Sequence, residues 1–385
     1  MSPPRSSVQS VVVLGGGTMG LASAWALAQA GLRVTVLERF SHVHERGSHG
    51  GFTRIIRQAY HEGEHYVPLV QRADRLWTEL GQRAGRELLR RTGLLEFGSD
   101  DDVEFRQSIA ACEVHGVPHT RYDAAELRRR WPFVVPDGWT ANFTPSGGSL
   151  RVDACLDALR DEAAAAGATF EYGAAAREVE LDAPAVRLDD GRRVSADAVV
   201  VTAGAWLPTL LPDLLPGRLQ RRRRVLTWWT PDGAHTASLA ALPVWAAFDP
   251  AGFFYGFPHG DEGIVGLKIA CHVARGAAPE AEIEPDAVDR ELHDDDLRPL
   301  QQFVDARFPA ARGPVNAHRV CLYTTTPSWD FVVDRHPATP RVVIAGGFSG
   351  HGFKFAPAIG ELVASLCTDE RAATPTAFPI ARHRG

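Results

Sequence analysis

The chain holds only two lysines, Lys268 and Lys354, and carries the rest of its basic charge on arginine. Arginine is a planar fork and lysine a compact point charge, so the two are not interchangeable. Lysines held at two positions in an arginine-using chain suit places where a small ammonium must fit. A fixed positive charge in a dry site can favour reduction of O2, and a cation beside an arginine fork can hold a carboxylate. Arg57 could supply such a fork. Near the N-terminus, Gly15-x-Gly17-x-x-Gly20 is followed at Glu38 by an acidic residue. The first glycine allows a tight turn, the second lets a pyrophosphate approach the backbone, and the third lets a helix pack on a strand. The anion then lies at a helix N-terminus, and the acidic residue binds ribose hydroxyls. The turn does not separate FAD from NAD as the dinucleotide. Cys321 lies just after His318 and Arg319. Those local positive charges favour a thiolate, although a buried structural cysteine has the same signature in sequence.

The elements needed to position these residues are legible. Val11-Val12-Val13-Leu14 reads as a buried parallel strand, Leu21 to Ala30 as a helix ended by Gly31, and Arg33 to Glu38 as the next strand. Val152, Cys155, Leu156 and Leu159 share one helical face, and Gly167 stops that helix. Thr169 to Tyr172, Ala198 to Thr202 and Arg341 to Ala345 read as strands. Pro357 sits where a final helix can begin. From Leu219 to Phe257 the chain is rich in aromatics and β-formers, as in an antiparallel sheet of a second lobe. Arg221-Arg222-Arg223-Arg224 reads as strand residues pointing to alternating faces rather than as a nucleic-acid patch.

Composition narrows the classes. With 385 residues, 45% of them hydrophobic, the chain can build two lobes with their own cores. A net charge of −6 gives no reason to expect nucleic acid or an anionic membrane as partner. The five scattered cysteines form no C-x-x-C pair and read as reduced thiols, so a cytoplasmic location is expected. The apolar run after Ser10 is broken by glycines, as neither a signal peptide nor a membrane span would be. His42, His44, Glu45 and His49 lack the H-E-x-x-H spacing of a catalytic zinc site, and no metal is expected.

Six further segments occur in order. They are Gly47-Ser48-His49-Gly50-Gly51-Phe52-Thr53-Arg54-Ile55-Ile56-Arg57-Gln58-Ala59-Tyr60, Glu64-His65-Tyr66-Val67-Pro68-Leu69, Tyr255-Gly256-Phe257-Pro258, Gly266-Leu267-Lys268 and Val320-Cys321-Leu322-Tyr323-Thr324, closed by Gly346-Gly347-Phe348-Ser349-Gly350-His351-Gly352-Phe353-Lys354-Phe355. From about Val11 to Leu366 the chain resembles the monomeric sarcosine oxidase family, which also holds N-methyltryptophan and pipecolate oxidases. The resemblance implies an α/β fold: a Rossmann-like, glutathione reductase-like FAD-binding domain with a second α+β substrate domain on an antiparallel sheet. The expected division gives 1–88, 151–218 and 320–385 to the FAD-binding domain and 89–150 and 219–319 to the substrate domain. The implied reaction is oxidation of a secondary-amine amino acid, N-methylated or cyclic, to an imine, with O2 reduced to H2O2. The alternative is a biosynthetic flavin oxidase that dehydrogenates a cyclic imino acid toward an aromatic ring. A small amino acid and O2 are the expected partners, and the enzyme is expected to be a monomer.

The resemblance also assigns roles. Lys268 activates O2, and Cys321 bonds covalently to the flavin. Arg57 and Lys354 bind the substrate carboxylate, Arg54 lies over the flavin face, and Tyr255 and Tyr323 line the pocket. His272 and His351 stand as in the family, and each either tunes proton transfer or serves as a structural hydrogen-bonding group. Gly15, Gly17, Met19, Gly20, Glu38, Ser48, Thr53, Gly347, Gly350 and Gly352 complete the cofactor contacts, with the final helix directing its N-terminus at the flavin. Two positions depart from the family pattern: Gly50 stands where relatives often have a second histidine and Phe52 where they have aspartate. In Val244-Trp245-Ala246-Ala247-Phe248, an alanine also stands where sarcosine oxidases have a methionine-containing wall. The smaller wall suggests a substrate larger than sarcosine.

Overall fold

The computed structural model describes residues 8–261, 263–276 and 280–384. Apolar Ser10–Leu14 pairs in parallel with Arg33–Glu38 on one side and Ala198–Val201 on the other. Among the described residues these strands centre a six-stranded sheet ordered Val332–His336, Thr339–Gly346, Ala198–Val201, Ser10–Leu14, Arg33–Glu38 and Thr169–Tyr172. Only the Val332–His336 edge runs antiparallel to its neighbour. Helix Thr18–Gln29 is buried along most of its length between Val152–Ala165 and Ala356–Thr368. Such all-round burial suits its Ala-rich sequence, because small side chains let neighbouring helices approach closely. Val152, Cys155, Leu156 and Leu159 are all buried, as their helical spacing requires.

The second lobe is built on an eight-stranded sheet. Its order is Val315–Thr325, Gln220–Trp229, Leu267–Ala274, Gly252–Gly256, Val244–Asp249, Leu94–Ser99, Trp139–Thr144 and Thr120–Asp123. Helix Asp294–Arg307 covers one face, burying Leu300, Phe303 and Val304 against Trp245, Phe254 and Leu267. The opposite face meets helix Val103–Val114 at one end through Phe105 and Ile109. Strand Val315–Thr325 pairs with Gln220–Trp229 over its whole length. The expected boundary at 320 therefore falls inside a strand, and Cys321 stands on the eight-stranded sheet rather than with the six-stranded one. Residues 53–56 and 148–151, with Leu89–Arg90, form a small sheet joining the lobes. The arginine run lies in strand Gln220–Trp229, where Arg221, Arg222 and Arg224 are taken up by Glu280, Glu282 and Glu284. No helix among the described residues is long and apolar enough to cross a membrane.

Candidate active site

A cavity of about 470 Å³ runs from the glycine turn to the eight-stranded sheet. At one end it is lined by Gly15, Gly17, Met19, Glu38 and Thr202, and at the other by Arg57, Tyr255, His272, Cys321, Tyr323 and Lys354.

The turn end is shaped by what the backbone excludes. Gly15 has φ +102°, and a Cβ there would lie 2.6 Å from the Thr202 carbonyl oxygen. A Cβ on Gly20 would lie 1.7 Å from the Gly15 carbonyl oxygen, so the helix sits on the turn at a distance only glycine permits. Gly17 is the N-cap of Thr18–Gln29 and no side chain caps that helix, leaving its first N–H groups available to an anion at the cavity wall. Glu38 is buried, and its Oε2 accepts from Gly16 N at 2.7 Å while Oε1 accepts from Phe40 N at 2.8 Å. Burial would raise its pKa, but hydrogen bonds from His44 and from these amides hold it below the ordinary carboxylate value. Glu38 thus tightens the turn as well as facing the cavity. These features fit a dinucleotide pyrophosphate.

At the sheet end, strand Thr53–Ile56 delivers Arg54. Its guanidinium donates to the carbonyls of Thr53, Ser48 and Gly50 at 2.7 Å and to Cys321 Sγ at 3.4 Å. Cys321 Sγ lies 3.3 Å from the Gly50 carbonyl, and Ser48 Oγ donates to the Leu322 carbonyl at 2.6 Å. The segment around Gly50 and the strand carrying Cys321 are thereby stitched together at the cavity wall. Phe52 adopts φ +64° and packs edge-on to Trp228.

Lys268 does not line the cavity. Its Nζ donates to the Gly51 carbonyl at 2.6 Å and to the Thr53 carbonyl and Oγ1 at 3.0 Å, one layer behind Arg54. Burial, then the nearby Arg54 charge, pushes its pKa well down, while three oxygens fill the three donor positions of an ammonium. Thr53 likewise sits behind the wall as a partner of Lys268.

Arg57 and Lys354 are brought together, but their charges differ in balance. Arg57 donates to the Ala59 carbonyl at 2.8 Å, covers the Tyr60 ring and forms an ion pair with Glu62. Burial would raise the Glu62 carboxyl; the Arg57 charge, then His61, holds it well below the usual range. Lys354 Nζ donates to the His351 carbonyl at 2.8 Å and has no ion-pair partner among the described residues. Burial and then Arg57 push Lys354 down to about 7, with Glu62 opposing. The net positive charge of the clamp is therefore that of Lys354.

Three tuning groups form a chain. Tyr255 hydrogen-bonds Tyr323, whose hydroxyl lies 2.9 Å from His272 Nδ1. Burial pushes Tyr323 up to about 12 and His272 well below its usual value, so a neutral imidazole faces protonated phenols. His351 joins Tyr60 at 2.7 Å through Nδ1 and the Trp329 carbonyl at 3.1 Å through Nε2, and burial holds it down at about 4. The closing turn uses glycines at φ +58° (Gly347) and +81° (Gly350), and a Cβ on Gly350 would meet the Tyr323 ring at 2.1 Å. Gly352 also lines the cavity, and helix Ala356–Thr368 starts just behind it after a single 3-10 turn, with Pro357 in its first turn.

Sequence reasoning passed over Glu62 and Arg224, which both line the cavity. Arg224 Nε donates to the His272 carbonyl at 2.8 Å and its guanidinium lies 5.1 Å from the Tyr323 ring centre. A carboxylate five residues after Arg57 was the available signal for Glu62. His44 and His49, given no site role when the cluster with His42 and Glu45 was rejected as a metal site, also face the cavity beside the glycine turn.

Residues 10–366 match the family model of FAD dependent oxidoreductases. The chain is 36% identical to a monomeric sarcosine oxidase of Bacillus sp. (strain NS-129), covering 93% of this chain and 92% of that protein. It is 32% identical to an N-methyl-L-tryptophan oxidase of Yersinia pestis (strain Pestoides F), covering 97% and 99%. In structure it is similar to the open form of NikD, an unusual amino acid oxidase essential for nikkomycin biosynthesis. That likeness has a TM-score of 0.81 and 26% identity, and covers 97% of each chain.

Proposed function

This chain belongs to the family of FAD-dependent oxidoreductases, and from that premise we propose that it oxidises secondary-amine amino acids, N-methylated or cyclic, to imines, with O2 as the electron acceptor and H2O2 as product. The single observation that carries the reading is the cation pair at the sheet end of the cavity. Arg57 is balanced by Glu62 and Lys354 is not, which leaves the Lys354 amine, charged below about pH 7, as the unbalanced cation of a buried pocket for a substrate carboxylate. A simple amine would leave that charge unanswered.

When bound, the flavin supplies the hydride acceptor for amine oxidation. Each group of the chain has a part. The glycine turn and the uncapped N-terminus of Thr18–Gln29 would hold the pyrophosphate, and Glu38 would take the ribose. Arg54 would stand beside the bound flavin, and Cys321, hydrogen-bonded to it, would be the residue for covalent attachment. Lys354 and Arg57 fix the substrate carboxylate, and Tyr255, Tyr323 and His272 border the amine. Neutral His272 can take a proton from the substrate nitrogen as it loses charge. Lys268 would supply the positive charge for O2 reduction, its three oxygen acceptors favouring the ammonium against the burial that pushes its pKa down. Scattered free cysteines and the monomeric relatives support a monomeric, cytoplasmic enzyme.

The likeness to NikD supports a second reading, a biosynthetic oxidase of a cyclic imino acid, and one experiment serves both. Purified protein is mixed anaerobically with a panel of N-methyl and cyclic amino acids, flavin bleaching is followed, and air is admitted while H2O2 is measured. Bleaching followed by one H2O2 per substrate is expected. A flavin that reoxidises in air after photoreduction, yet is bleached by no secondary-amine amino acid, overturns the reading. Acid precipitation of the same protein should leave yellow colour in the pellet; complete release of flavin to the supernatant overturns attachment at Cys321.

A further inference from the structure

One row of side chains crosses the face of the eight-stranded sheet that borders the cavity. Register partners step from Leu226 to Ala270, Tyr255, Ala246, Glu96 and Asn142, one strand at a time. Neighbouring strands lie ~4.8 Å apart, and register partners point to the same face. Leu226, Tyr255 and Ala246 line the cavity. Glu96 is the next side chain beyond Ala246, and Asn142 the next beyond that.

These two positions are unusual for a sheet interior. Leu95 and Phe97, which flank Glu96, pack in the apolar core on the opposite face, as does Ala141 beside Asn142. Glu96, Asn142 and Thr144 are all fully buried. Glu96 Oε2 accepts from Ser108 Oγ at 2.6 Å, but Glu96 Oε1, Asn142 Oδ1 and Thr144 Oγ1 have no hydrogen-bond partner among the described residues. Leaving a buried polar atom unpaired costs about 1–3 kcal/mol, so three together in a core mark a site that something else completes. Two of the three are pure acceptors when Glu96 is ionised, and the third is a hydroxyl, so the complement is a hydrogen-bond donor. Glu96 does not itself line the cavity; Ala246, its register partner on the next strand, is the cavity-lining residue beside it in the row. Burial pushes the Glu96 carboxyl up to about 7, with Glu62 acting in the same direction and Arg57 and Ser108 opposing it. An arriving cation would draw that proton off and pair with the carboxylate.

We propose that Glu96, reached past Ala246 and backed by Asn142 and Thr144, forms a specificity subsite for a basic nitrogen at the end of the substrate side chain. The preferred substrates are then Nα-alkyl amino acids with an amine-bearing side chain, the α-carboxylate on Lys354 and Arg57 and the distal ammonium on Glu96. This rests on the amino-acid oxidase reading above and adds the side-chain class to it. Glu96 is a binding residue here, remote from the bond that breaks.

The test uses the flavin-loaded protein with matched pairs: Nα-methyl-ornithine against Nα-methyl-norvaline, and Nα-methyl-lysine against Nα-methyl-norleucine. Wild type should reduce flavin with the basic member of each pair at a kcat/KM at least about tenfold higher, since a site built for a donor rejects the analogue lacking it. Glu96→Gln keeps the shape and removes the charge, and should erase most of that ratio. Ala246→Met sets a long side chain between the cavity and Glu96 while leaving the carboxylate in place, and should erase it too, which keeps the test open should Glu96→Gln fold poorly. Equal efficiency for both members in wild type, or a ratio that survives both substitutions, overturns the subsite. A second readout separates this failure from failure of the oxidase reading: titration of the flavin absorbance with L-lysine and L-norleucine. Should no N-methyl amino acid bleach the flavin, the oxidase reading fails, and the titration decides alone. A tenfold lower half-saturation for lysine supports the subsite, and equal values overturn it.

Discussion

The two ends of the cavity are built on opposite plans. The turn end is made by backbone: contiguous residues, one uncapped helix start and glycines at positions where a Cβ has no room. The sheet end is made by side chains drawn from distant segments, with Arg54 and Arg57 from one strand and its exit, Tyr255 and His272 from two others, and Cys321, Tyr323 and Lys354 from the last part of the chain, while Lys268 stands behind the wall. Backbone recognition tolerates no change in a few positions and is indifferent to most others. Side-chain recognition tolerates graded change, because each buried charge is balanced by a neighbour that can be altered separately.

The largest effect should come from breaking the backbone end. Gly20→Ala puts a methyl carbon 1.7 Å from the Gly15 carbonyl oxygen, which is backbone and cannot step aside. The variant is expected to purify without flavin or not to fold, as flavin-to-protein absorbance and circular dichroism would report. A variant that retains full flavin would show that the turn is not the rigid element described.

The next largest effects fall at the sheet end. Lys268→Met removes the charge held by Gly51 and Thr53 while keeping an unbranched chain of similar length. Flavin reduction by substrate should change little, while reoxidation by O2 slows by about 10²–10³, the usual cost of losing one preorganised electrostatic group. Stopped-flow mixing of the reduced enzyme with air-saturated buffer measures this, and an unchanged reoxidation rate would sink the assignment. Lys354→Met should raise KM and cost about 10–100-fold in kcat/KM through loss of a charge-assisted contact. In the parent enzyme the Lys354 amine, held near 7 by burial and Arg57, is charged below that pH and neutral above it. Carboxylate binding should therefore weaken as pH rises through about 7, and the dependence should vanish in the Met variant.

The same contrast explains what could be read in advance. The glycine turn, Glu38 and the strand and helix around them were legible because one local stretch carries most of the constraints, the contact of Gly15 with Thr202 being the distant exception, and the Arg33–Glu38 strand falls where its apolar run places it. The sheet end was legible only as separate motifs. The Arg57–Glu62 pair, the retreat of Lys268 behind Arg54 and the place of Cys321 on the eight-stranded sheet depend on which strands become neighbours. Nothing within any one segment encodes that. Glu96 is the extreme case: in sequence it is one acid in a short strand, and only the register with Ala246 and Asn142 sets it beside the cavity.

Glu38 offers the finest test, being the one carboxylate that ties the backbone end together. Its two oxygens accept from Gly16 and Phe40, so Glu38→Gln keeps one acceptor, replaces the other with a donor and loses the charge. One charge-assisted bond is worth about 1.5–3 kcal/mol, but Gln keeps part of it, so flavin affinity should fall about tenfold rather than be abolished. The pH dependence gives an independent check. The folded pKa is depressed below 4.5, so the stabilisation is fully present above the unfolded value and is lost as pH falls through the folded one. Thermal stability of the parent protein should thus contain a component that survives to mildly acidic pH and disappears below the ordinary carboxylate range, and Glu38→Gln should remove it. A variant as sensitive as its parent in that acid window would mean that the turn is held by its glycines alone.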